Sequence, residues 1–479
     1  MTFSAAELLP ILPELITAVG ALLLILLGAI AGERATPLVN GLAVALLVAA
    51  AIALGLIPEH PAPVFHGAFV FDAFSRFLQL LIVVGALVAL AMSFYWLKLA
   101  GIARFEYAVL VLLATTGMMV MAAAGDLIAF YLGLELQNLA LYVVAAFDRD
   151  SERSTEAGLK YFVLGALSSG MILYGASLAY GFSGTVDFAG IAAVVGAGHV
   201  STGLIFGLVF LLAGLAFKVS AAPFHMWTPD VYEGAPTPIT IFFSTAPKIA
   251  AMAIIVRLVV SAFPGITQEW REIMAFLAVI STVLAAFAAI GQRNIKRLMG
   301  YSSVANIGYM LIGLAAGTQQ GVASVLIYLA IYLAMSLGTF AVILAMRRPD
   351  GGMVENIDDL AGLAKTQPWM AFAMATMMFS IAGIPPLAGF FAKLYVFMAA
   401  VQAGLYWLAV VGVVASVVGA YYYLRIVKIM YFDEPAGSFQ PMPAMLRAVL
   451  TVTGIFIVFY FVYPAPLTAA AATAARSLF

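Results

Sequence analysis

The chain has 479 residues, 65% of them hydrophobic and only 9% charged, and its formal net charge is −1. This composition excludes an ordinary soluble domain and indicates a polytopic helical membrane protein. The sequence contains no cysteine, which excludes a disulfide framework and any cysteine-ligated iron–sulfur or zinc site on the chain. Phosphate-binding glycine loops are also missing from the sequence. A bis-histidine haem is not expected, because the four histidines are scattered: His60, His66, His199 and His225.

A transmembrane helix needs roughly 20 apolar residues, and about fourteen segments meet this requirement. The predicted fold class is therefore an all-α polytopic membrane protein with about 14 transmembrane helices and no inserted soluble domain. Segment 367–400 is longer than one span requires and contains Gly383, Pro385, Pro386 and Gly389, so we expect an interrupted helix there. The segments are 10–30, 37–57, 74–97, 105–123, 126–147, 157–181, 204–224, 238–262, 273–291, 300–316, 320–346, 367–400, 405–431 and 444–463.

The stretch from Leu212 to Lys248 differs from the rest of the chain in polarity. It consists of two apolar segments joined by a turn that contains His225, and each apolar segment carries one lysine, Lys218 or Lys248. A charged side chain at the bilayer centre costs at least ~2.5–3.5 kcal/mol, and Pro223 leaves a backbone carbonyl without its helical donor. Buried charge together with a broken backbone predicts a hydrated cavity. His225 either relays protons between the two lysines or caps the broken helix.

Four ionisable residues inside predicted spans form the candidate site. Glu135 is the acidic residue predicted to sit in mid-span, and Lys218, Lys248 and Lys393 are the three lysines within spans. Such groups can change protonation when a partner moves, so together they predict a row of proton-exchanging sites. The alternatives are a static ion pair between Glu135 and one lysine, and snorkelling of Lys248 or Lys393 towards a helix end.

The order of the segments suggests an internal repeat. Segments four to eight and nine to thirteen are predicted to be two copies of a five-helix unit, because the fourth helix of each is broken by proline and carries a lysine. An odd number of helices makes the copies inverted, which is common in transporters with sites at the broken helices. The predicted domains are an N-terminal three-helix segment, 1–104, the first repeat, 105–262, the inverted second repeat, 273–431, and a C-terminal helix, 432–479.

The placement of lysine and arginine predicts the orientation of the chain. Loops and helix ends after odd-numbered segments hold fifteen of the 22 basic residues, so this side is predicted to be cytoplasmic and both termini to lie on the other side. Tyr421, Tyr422 and Tyr423 are predicted to belong to an interfacial aromatic belt. The fifteen basic residues are Arg34, Lys98, Arg104, Arg149, Arg153, Lys160, Arg293, Lys296, Arg297, Arg347, Arg348, Lys365, Arg425, Lys428 and Arg447.

Three motifs carry a family resemblance that extends over essentially the whole chain. They are PFHMWTPDVYEGAPTPITIFFSTAPK at 223–248, NIKRLMGYSSVANIGYML at 294–311 and GIPPLAGFFAKLYVF at 383–397. With these motifs the sequence resembles the antiporter-like membrane subunits of respiratory complex I, the bacterial NADH–quinone oxidoreductase. The first motif is highly specific, although cation/proton antiporters share its W-x-P-D-x-x-x-x-A-P-T-P core.

The resemblance implies a lateral proton path halfway through the membrane. It implies that Glu135 matches the fifth-helix glutamate of the family, and that Lys218, Lys248 and Lys393 match the lysines of the seventh, eighth and twelfth helices. It also implies fourteen helices, inverted five-helix repeats and both termini on the periplasmic side of a bacterial inner membrane. One departure is Asn306, since many relatives carry a histidine at this position.

The resemblance further implies that this chain carries no cofactor, because NADH, FMN, the iron–sulfur clusters and quinone bind to partner subunits. The expected partners are other membrane-arm subunits, with the K and M subunits as neighbours, and the lipid bilayer; no nucleic acid is expected. Two alternatives belong to other classes: a cation/proton antiporter subunit of the Mrp type, and a structural spacer whose charges hold neighbouring subunits. The sequence has no sodium cage of carboxylates, which disfavours sodium transport.

Overall fold

The computed structural model describes residues 8–198 and 200–479. Residues 1–7 and His199 lie outside the described part, and so do the side chains of Pro61 and Ala62. Contacts between Cα atoms divide the chain into two compact units. The first contains the described residues of Met1–Val219 together with Gly234–Trp270 and Ala470–Phe479, and the second contains Ser220–Glu233 and Arg271–Ala469.

Helices dominate both units. In chain order they are α1 (Leu12–Ala31), α2 (Thr36–Leu56), α3 (Ala73–Leu99), α4 (Phe105–Ala123), α5 (Leu127–Ala145), α6 (Glu152–Ser183), α7 (Phe188–Gly196), α8 (Thr202–Val219), α9 (Trp227–Gly234), α10 (Thr237–Ser244), α11 (Ala246–Arg257), α12 (Thr267–Ile290), α13 (Ile295–Ala315), α14 (Gln319–Leu344), α15 (Leu363–Thr366), α16 (Pro368–Ala382), α17 (Ala388–Gln402), α18 (Tyr406–Phe432), α19 (Ala444–Phe459) and α20 (Ala465–Arg476). A short antiparallel hairpin is formed by β1 (His60–Val64) and β2 (Phe69–Phe71).

The helices account for the spans predicted from hydropathy. Among the described residues, eleven helical stretches are long and apolar enough to cross a membrane, and the first of them, Leu12–Leu56, contains both α1 and α2. Three shorter apolar helices, α16, α17 and α19, complete the set. With α16 and α17 taken as the halves of one interrupted span, the number of segments is the predicted fourteen. The all-α polytopic fold class is therefore confirmed.

Two helices stop inside segments predicted to be broken. α8 ends at Val219 and α9 begins at Trp227, and Ser220 between them has φ +67°, a conformation that residues with a Cβ rarely adopt. The second break runs from Gly383 to Leu387, between α16 and α17. Each break contains one cis X–Pro bond. Because proline lacks an N–H and its ring clashes with the preceding turn, both predicted breaks are confirmed at the expected prolines.

A third break, between α10 and α11, is not predicted from the sequence. Thr245 there has φ −118° and ψ −99°, and its hydroxyl donates to the carbonyl of Ile241 at 2.9 Å. Pro247 explains the break, since proline has no N–H to donate to the carbonyl of Phe243 and its ring clashes with the preceding turn. Hydropathy gives no sign of this break, because the segment is apolar and buried on both sides of it.

The β1–β2 hairpin and α7 lie in regions that the sequence predicts to be connections. His60 pairs with Phe71 in the hairpin, and the N–H of Gly125 donates to the carbonyl of Ala68 at 2.9 Å. A Cβ on Gly125 would lie 2.1 Å from the Gly67 carbonyl oxygen, so only glycine permits this approach. The hairpin therefore packs on the α4–α5 connection inside the first unit.

Asp72 and Arg257 form a buried ion pair within the first unit. Arg257 Nη1 donates to Asp72 Oδ2 at 3.0 Å, and Nη2 donates to Oδ1 at 2.8 Å, so the pair is bidentate. Asp72 also accepts from the N–H of Ser75 and caps α3, whereas Arg257 is the last residue of α11 and lies 5.0 Å from the ring centroid of Phe74. The pair therefore ties the start of α3 to the end of the helix that carries Lys248.

We expect Arg257→Ala to lower the free energy of unfolding by about 3–5 kcal/mol, because removing one partner leaves the other charge buried and unpaired. The double variant Asp72→Ala/Arg257→Ala removes both charges and should cost less than Arg257→Ala alone. The measurement is thermal unfolding of the purified protein in detergent. Arg104→Ala is the control, since the Arg104–Glu33 pair is about half exposed and should contribute about 0–1 kcal/mol.

The same pair gives this stability a pH dependence. Burial acts to raise the pKa of Asp72, but the charge of Arg257 and the hydrogen bonds from Arg257 and Ser75 outweigh burial, so the pKa lies below its usual value. The stabilisation is thus fully present above the ordinary aspartate range of about 3.9 and is lost as pH falls through the lowered folded-state pKa. An Arg257→Ala variant that lost as much stability on acidification as the parent protein would contradict this assignment.

Candidate functional site

Lys218 lies in the last turn of α8 and is 5% exposed. Its Nζ donates to the carbonyl oxygen of Gly165 at 3.2 Å and to the hydroxyl oxygens of Ser169 and Tyr142 at 3.4 Å each. A Cβ on Gly165 would lie 2.3 Å from the Tyr142 hydroxyl, so glycine lets α6 approach this group. Among the described residues no carboxylate lies within 4.0 Å of Lys218 Nζ. Neutral acceptors therefore hold this lysine.

Glu135 is connected to Lys218 through two polar side chains. Asn138 Nδ2 donates to Glu135 Oε1 at 3.2 Å and to Ser169 Oγ at 3.2 Å. The same Ser169 oxygen accepts from Lys218 Nζ. Glu135 is half-buried on α5, whereas Asn138 and Ser169 are buried. The carboxylate and the lysine are thus coupled through a chain of hydrogen bonds.

Lys248 is the most deeply buried of the three lysines, with 1% of its surface exposed. Its Nζ donates to the carbonyl oxygen of Val219 at 3.1 Å. Val219 is the residue after Lys218 and the last residue of α8, so its carbonyl is one of those that the helix leaves without an intrahelical donor. The break after α8 therefore supplies an acceptor for a cation buried at this depth.

Lys393 lies on α17 in the second unit and is 7% exposed. Its Nζ donates to the carbonyl oxygen of Ala382 at 3.0 Å and to Ser416 Oγ at 2.8 Å, and it lies 4.8 Å from the ring centroid of Tyr309. Ala382 is the last residue of α16, where the free carbonyls and the helix dipole favour a cation. The break in the second unit thus binds its lysine as the first break binds Lys248.

Two glycines keep the α16–α17 break compact. Gly383 has φ +92°, a backbone conformation that favours glycine, and a Cβ there would meet the Lys393 side chain at 3.1 Å. A Cβ on Gly389 would lie 1.9 Å from the Ser380 carbonyl oxygen, which no side chain can do without moving the backbone. The close approach of α17 to the end of α16 therefore explains why the GIPPLAG motif begins and ends with glycine.

A polar network on α13, α14 and α18 extends the second site. Asn306 Nδ2 donates to the Ser302 carbonyl at 2.8 Å, and the Tyr328 hydroxyl donates to Asn306 Oδ1 at 2.8 Å. Ser302 Oγ in turn is hydrogen-bonded to the Tyr423 hydroxyl. The Asn306 amide thus bridges a serine and a tyrosine.

The predicted aromatic belt is wrong for two of its three tyrosines. Tyr421 is 57% exposed, as a belt residue should be, but Tyr422 and Tyr423 are 1% and 3% exposed. Three consecutive residues on a helix point about 100° apart, so they cannot share one lipid-facing surface. Their phenols lie 3.4 Å apart and belong to the interior of the second unit.

Residues 223–233 of the first motif meet the motif at 294–311 within the second unit. Arg297 Nη1 donates to Asp230 Oδ1 at 2.6 Å and to Glu233 Oε2 at 3.1 Å. The His225 ring lies 6.3 Å from that of Tyr301, and its Nδ1 is buried without a hydrogen-bond partner among the described residues. Arg297, predicted as an orientation signal, thus also fixes the short helix α9 that follows His225.

The polar groups that hold the lysines are not recognisable from the sequence. Single polar residues in apolar helices are common, so only a helical spacing could have marked Glu135 and Asn138, three residues apart, as neighbours. The other partners come from different helices, and their contacts depend on tertiary packing: Tyr142, Ser169, Tyr309 and Ser416. Among residues 8–198 and 200–479, no group of three or more His, Asp or Glu side chains could hold a metal ion.

The helix breaks, the buried lysines and the hydrogen-bonded glutamate define an antiporter-like membrane subunit. The family model described as NADH:quinone oxidoreductase/Mrp antiporter, TM, matches residues 124–419, which include both proline breaks and all four candidate ionisable residues. The chain therefore belongs to this family of transmembrane proteins.

Within the family, curated relatives that match this chain over nearly its full length are named subunit N. NADH-quinone oxidoreductase subunit N of Azorhizobium caulinodans is 63% identical over 469 residues, which cover 98% of each chain. A chain of respiratory complex I from Thermus thermophilus has a TM-score of 0.83 at 33% identity, covering 96% of this chain and 99% of that one. A chain of the Mrp complex from Dietzia sp. has a TM-score of 0.84 at 25% identity, with coverages of 98% and 97%.

We expect Ser169→Ala to slow proton pumping, because it removes the oxygen that Asn138 and Lys218 share. A lost hydrogen bond of this kind is worth about 0.5–1.5 kcal/mol, or a rate decrease of up to about tenfold. Ser168→Ala is a matched control: Ser168 is equally buried on α6 but donates to the Gly214 carbonyl. The measurement is the proton-pumping rate of the assembled complex in vesicles. Equal rates in the two variants would contradict the connection through Ser169.

Proposed function

We propose that this chain is a proton-translocating membrane subunit of NADH:quinone oxidoreductase, and that Glu135, Lys218, Lys248 and Lys393 carry its proton path. The observation that carries the proposal is that neutral oxygens at helix breaks and in polar clusters accept hydrogen bonds from the three buried lysines. A lysine bound by carbonyl and hydroxyl oxygens can lose its proton and remain a hydrogen-bond donor, whereas a tight ion pair would fix its charge. Intramembrane ionisable residues are also functional by default.

The proposed mechanism begins outside this chain. Quinone is reduced in partner subunits, which hold the flavin, the iron–sulfur clusters and the quinone site, and no cofactor binds here. The resulting electrostatic change alters the coupling between Glu135 and Lys218, which the hydrogen-bond chain through Asn138 and Ser169 transmits. Lys218 then exchanges its proton along hydrated polar groups towards Lys248 and Lys393. His225 is a candidate relay in this path, and gated half-channels connect the path to the two sides of the membrane.

The organisation of the chain in the complex is part of the same proposal. Segments 105–262 and 273–431 are inverted repeats with one lysine-bearing broken helix each, preceded by the three-helix segment 1–104 and followed by the C-terminal region 432–479. The neighbours in the membrane arm are the K and M subunits, and the complex lies in the bacterial inner membrane with both termini on the periplasmic side. Support for the orientation comes from the basic residues, fifteen of which fall on one side.

The orientation predicts which loops are accessible to reagents. Cysteine in the variant Asp150→Cys should react with a membrane-impermeant thiol reagent only from the cytoplasmic side, and cysteine in Ala197→Cys only from the periplasmic side. Both positions are exposed, and the natural chain has no cysteine to interfere. Labelling of both variants from one common side would overturn the proposed orientation.

Lys218 is expected to be the least replaceable residue. Lys218→Ala should abolish proton pumping and coupled quinone reduction while the complex still assembles, and Lys218→Arg should fail as well, because guanidinium does not deprotonate in proteins. Glu135→Gln should have a milder effect than Lys218→Ala if the carboxylate influences the protonation of Lys218 instead of carrying the proton itself. NADH oxidation and proton pumping in vesicles, each per assembled complex, are the measurements. Lys160→Ala is the control, because Lys160 is a partly exposed lysine on α6 that pairs with Glu156. Full activity of Lys218→Ala would contradict the proposal.

Lys393 distinguishes a proton carrier from a structural spacer. Its ammonium faces Ala382, Ser416 and Tyr309 inside the second unit, which supports a role within this chain over one in holding a neighbouring subunit. Lys393→Ala should therefore lower pumping and turnover per assembled complex without lowering assembly. A spacer would show the reverse, with fewer complexes assembled and normal turnover in each. Lys365→Ala is the control, because Lys365 is exposed and pairs with Glu434 at the surface.

A further inference from the structure

An apolar groove runs along the surface of the second unit between α16 and α19. Its volume is about 870 Å³, which is within the range of sites that hold a ligand. The walls are formed by apolar side chains of the two helices, among them Phe372, Leu450, Ile455 and Phe459. The hydroxyls of Thr376 and Thr451 in the wall donate to carbonyls of their own helices, so the groove presents almost no free polar group along its length.

The groove is about as long as one leaflet of a bilayer is thick. It extends along α19 from Arg447 to Phe459, which is about 18 Å at 1.5 Å per residue. The hydrocarbon core of a bilayer is roughly 30 Å thick, so half of it is about 15 Å. A groove of this length that begins at a charged residue matches one acyl chain that extends from an interface towards the bilayer centre.

The end of the groove at Arg447 is polar and has the features of a membrane interface. The Arg447 side chain is exposed, and its guanidinium makes no hydrogen bond or ion pair with any residue in the described part of the chain. Trp369, which lines the same end, is 83% exposed, as tryptophans at the headgroup level are. Arg447 is one of the fifteen basic residues on the proposed cytoplasmic side, where anionic lipids concentrate cations.

We propose that this groove binds an anionic phospholipid of the cytoplasmic leaflet. The phosphate is held by Arg447 and the headgroup lies beside Trp369, while an acyl chain fills the groove between α16 and α19. Charge complementarity selects this occupant: a phosphodiester neutralises the exposed guanidinium, whereas an apolar helix of a neighbouring subunit would cover it without a counter-charge. The site is separate from the lysines of the proton path and does not depend on them.

Gly454 offers a way to fill the groove without disturbing the protein. It lines the groove, and a Cβ added to it would meet no atom within 4 Å. Gly454→Leu should therefore occupy the acyl-chain position while α19 keeps its packing. Gly170 is the matched control, because it is also a helical glycine whose added Cβ would meet nothing, but it lies on α6 in the first unit. Arg447→Gln removes the charge at a position exposed enough to leave folding intact.

The test uses the purified complex and phosphatidylglycerol with a photoreactive acyl chain. After irradiation, cross-linked peptides are mapped by mass spectrometry, and we expect adducts in 368–376 and 447–459. Gly454→Leu should abolish these adducts, Arg447→Gln should reduce them about fivefold, and Gly170→Leu should leave them unchanged. Photoreactive phosphatidylcholine should give fewer adducts than phosphatidylglycerol in the parent complex.

Three results would overturn the proposal. The first is equal labelling of these peptides in the parent, Gly454→Leu and Arg447→Gln complexes. The second is equal labelling by the anionic and the neutral lipid, which would mean that Arg447 does not discriminate between the two headgroups. The third is a loss of a neighbouring subunit from the Gly454→Leu complex with no lipid adduct in the parent complex, which would identify the groove as a contact between subunits.

Discussion

The structure depends on the need to satisfy a cation that the sequence buries among apolar helices. An uncompensated charge in the membrane interior costs several kcal/mol, and so does a backbone carbonyl without a donor. Breaking a helix beside a lysine resolves both costs together, because the end of the helix supplies an oxygen and the lysine supplies the donor. Lys248 on the Val219 carbonyl and Lys393 on the Ala382 carbonyl are two instances of this arrangement. Proline and glycine at the breaks are therefore part of the lysine sites.

Much of the fold follows from the sequence because the bilayer imposes a fixed length on every span. The predicted segment 105–123 coincides with α4, and the break at Pro385 and Pro386 lies where proline chemistry requires it. The sequence is equally apolar on both sides of the break at Thr245, so the length of the apolar segment does not reveal the break. The burial of Tyr422 and Tyr423 depends on which face of α18 meets α13, and this is decided by packing between distant segments.

The residues of the candidate site also fall into those that the sequence reveals and those that only the folded chain reveals. The charged members were recognisable because a lysine or glutamate inside an apolar span is rare and costly. Their partners were not recognisable, since serine and asparagine are common in helices. Asn138, Ser169 and Ser416 can be identified as site residues only where helices far apart in sequence meet. Arg297 is intermediate: its position at a predicted helix end suggested an orientation signal, but its two carboxylate partners on α9 could be recognised only in the folded chain.

The bidentate pair between Asp72 and Arg257 also constrains how the sequence can change over evolution. Asp72 precedes α3, inside the three-helix segment, whereas Arg257 ends the helix that carries Lys248. A shortened homologue without its first hundred residues would keep the arginine and lose its only bidentate acceptor among the described residues. Such a lineage could retain a stable α11 only if the arginine had first been replaced by a neutral residue, or if another protein supplied a carboxylate at that place. The stability of α11 therefore depends on a residue that lies 185 positions earlier in the chain.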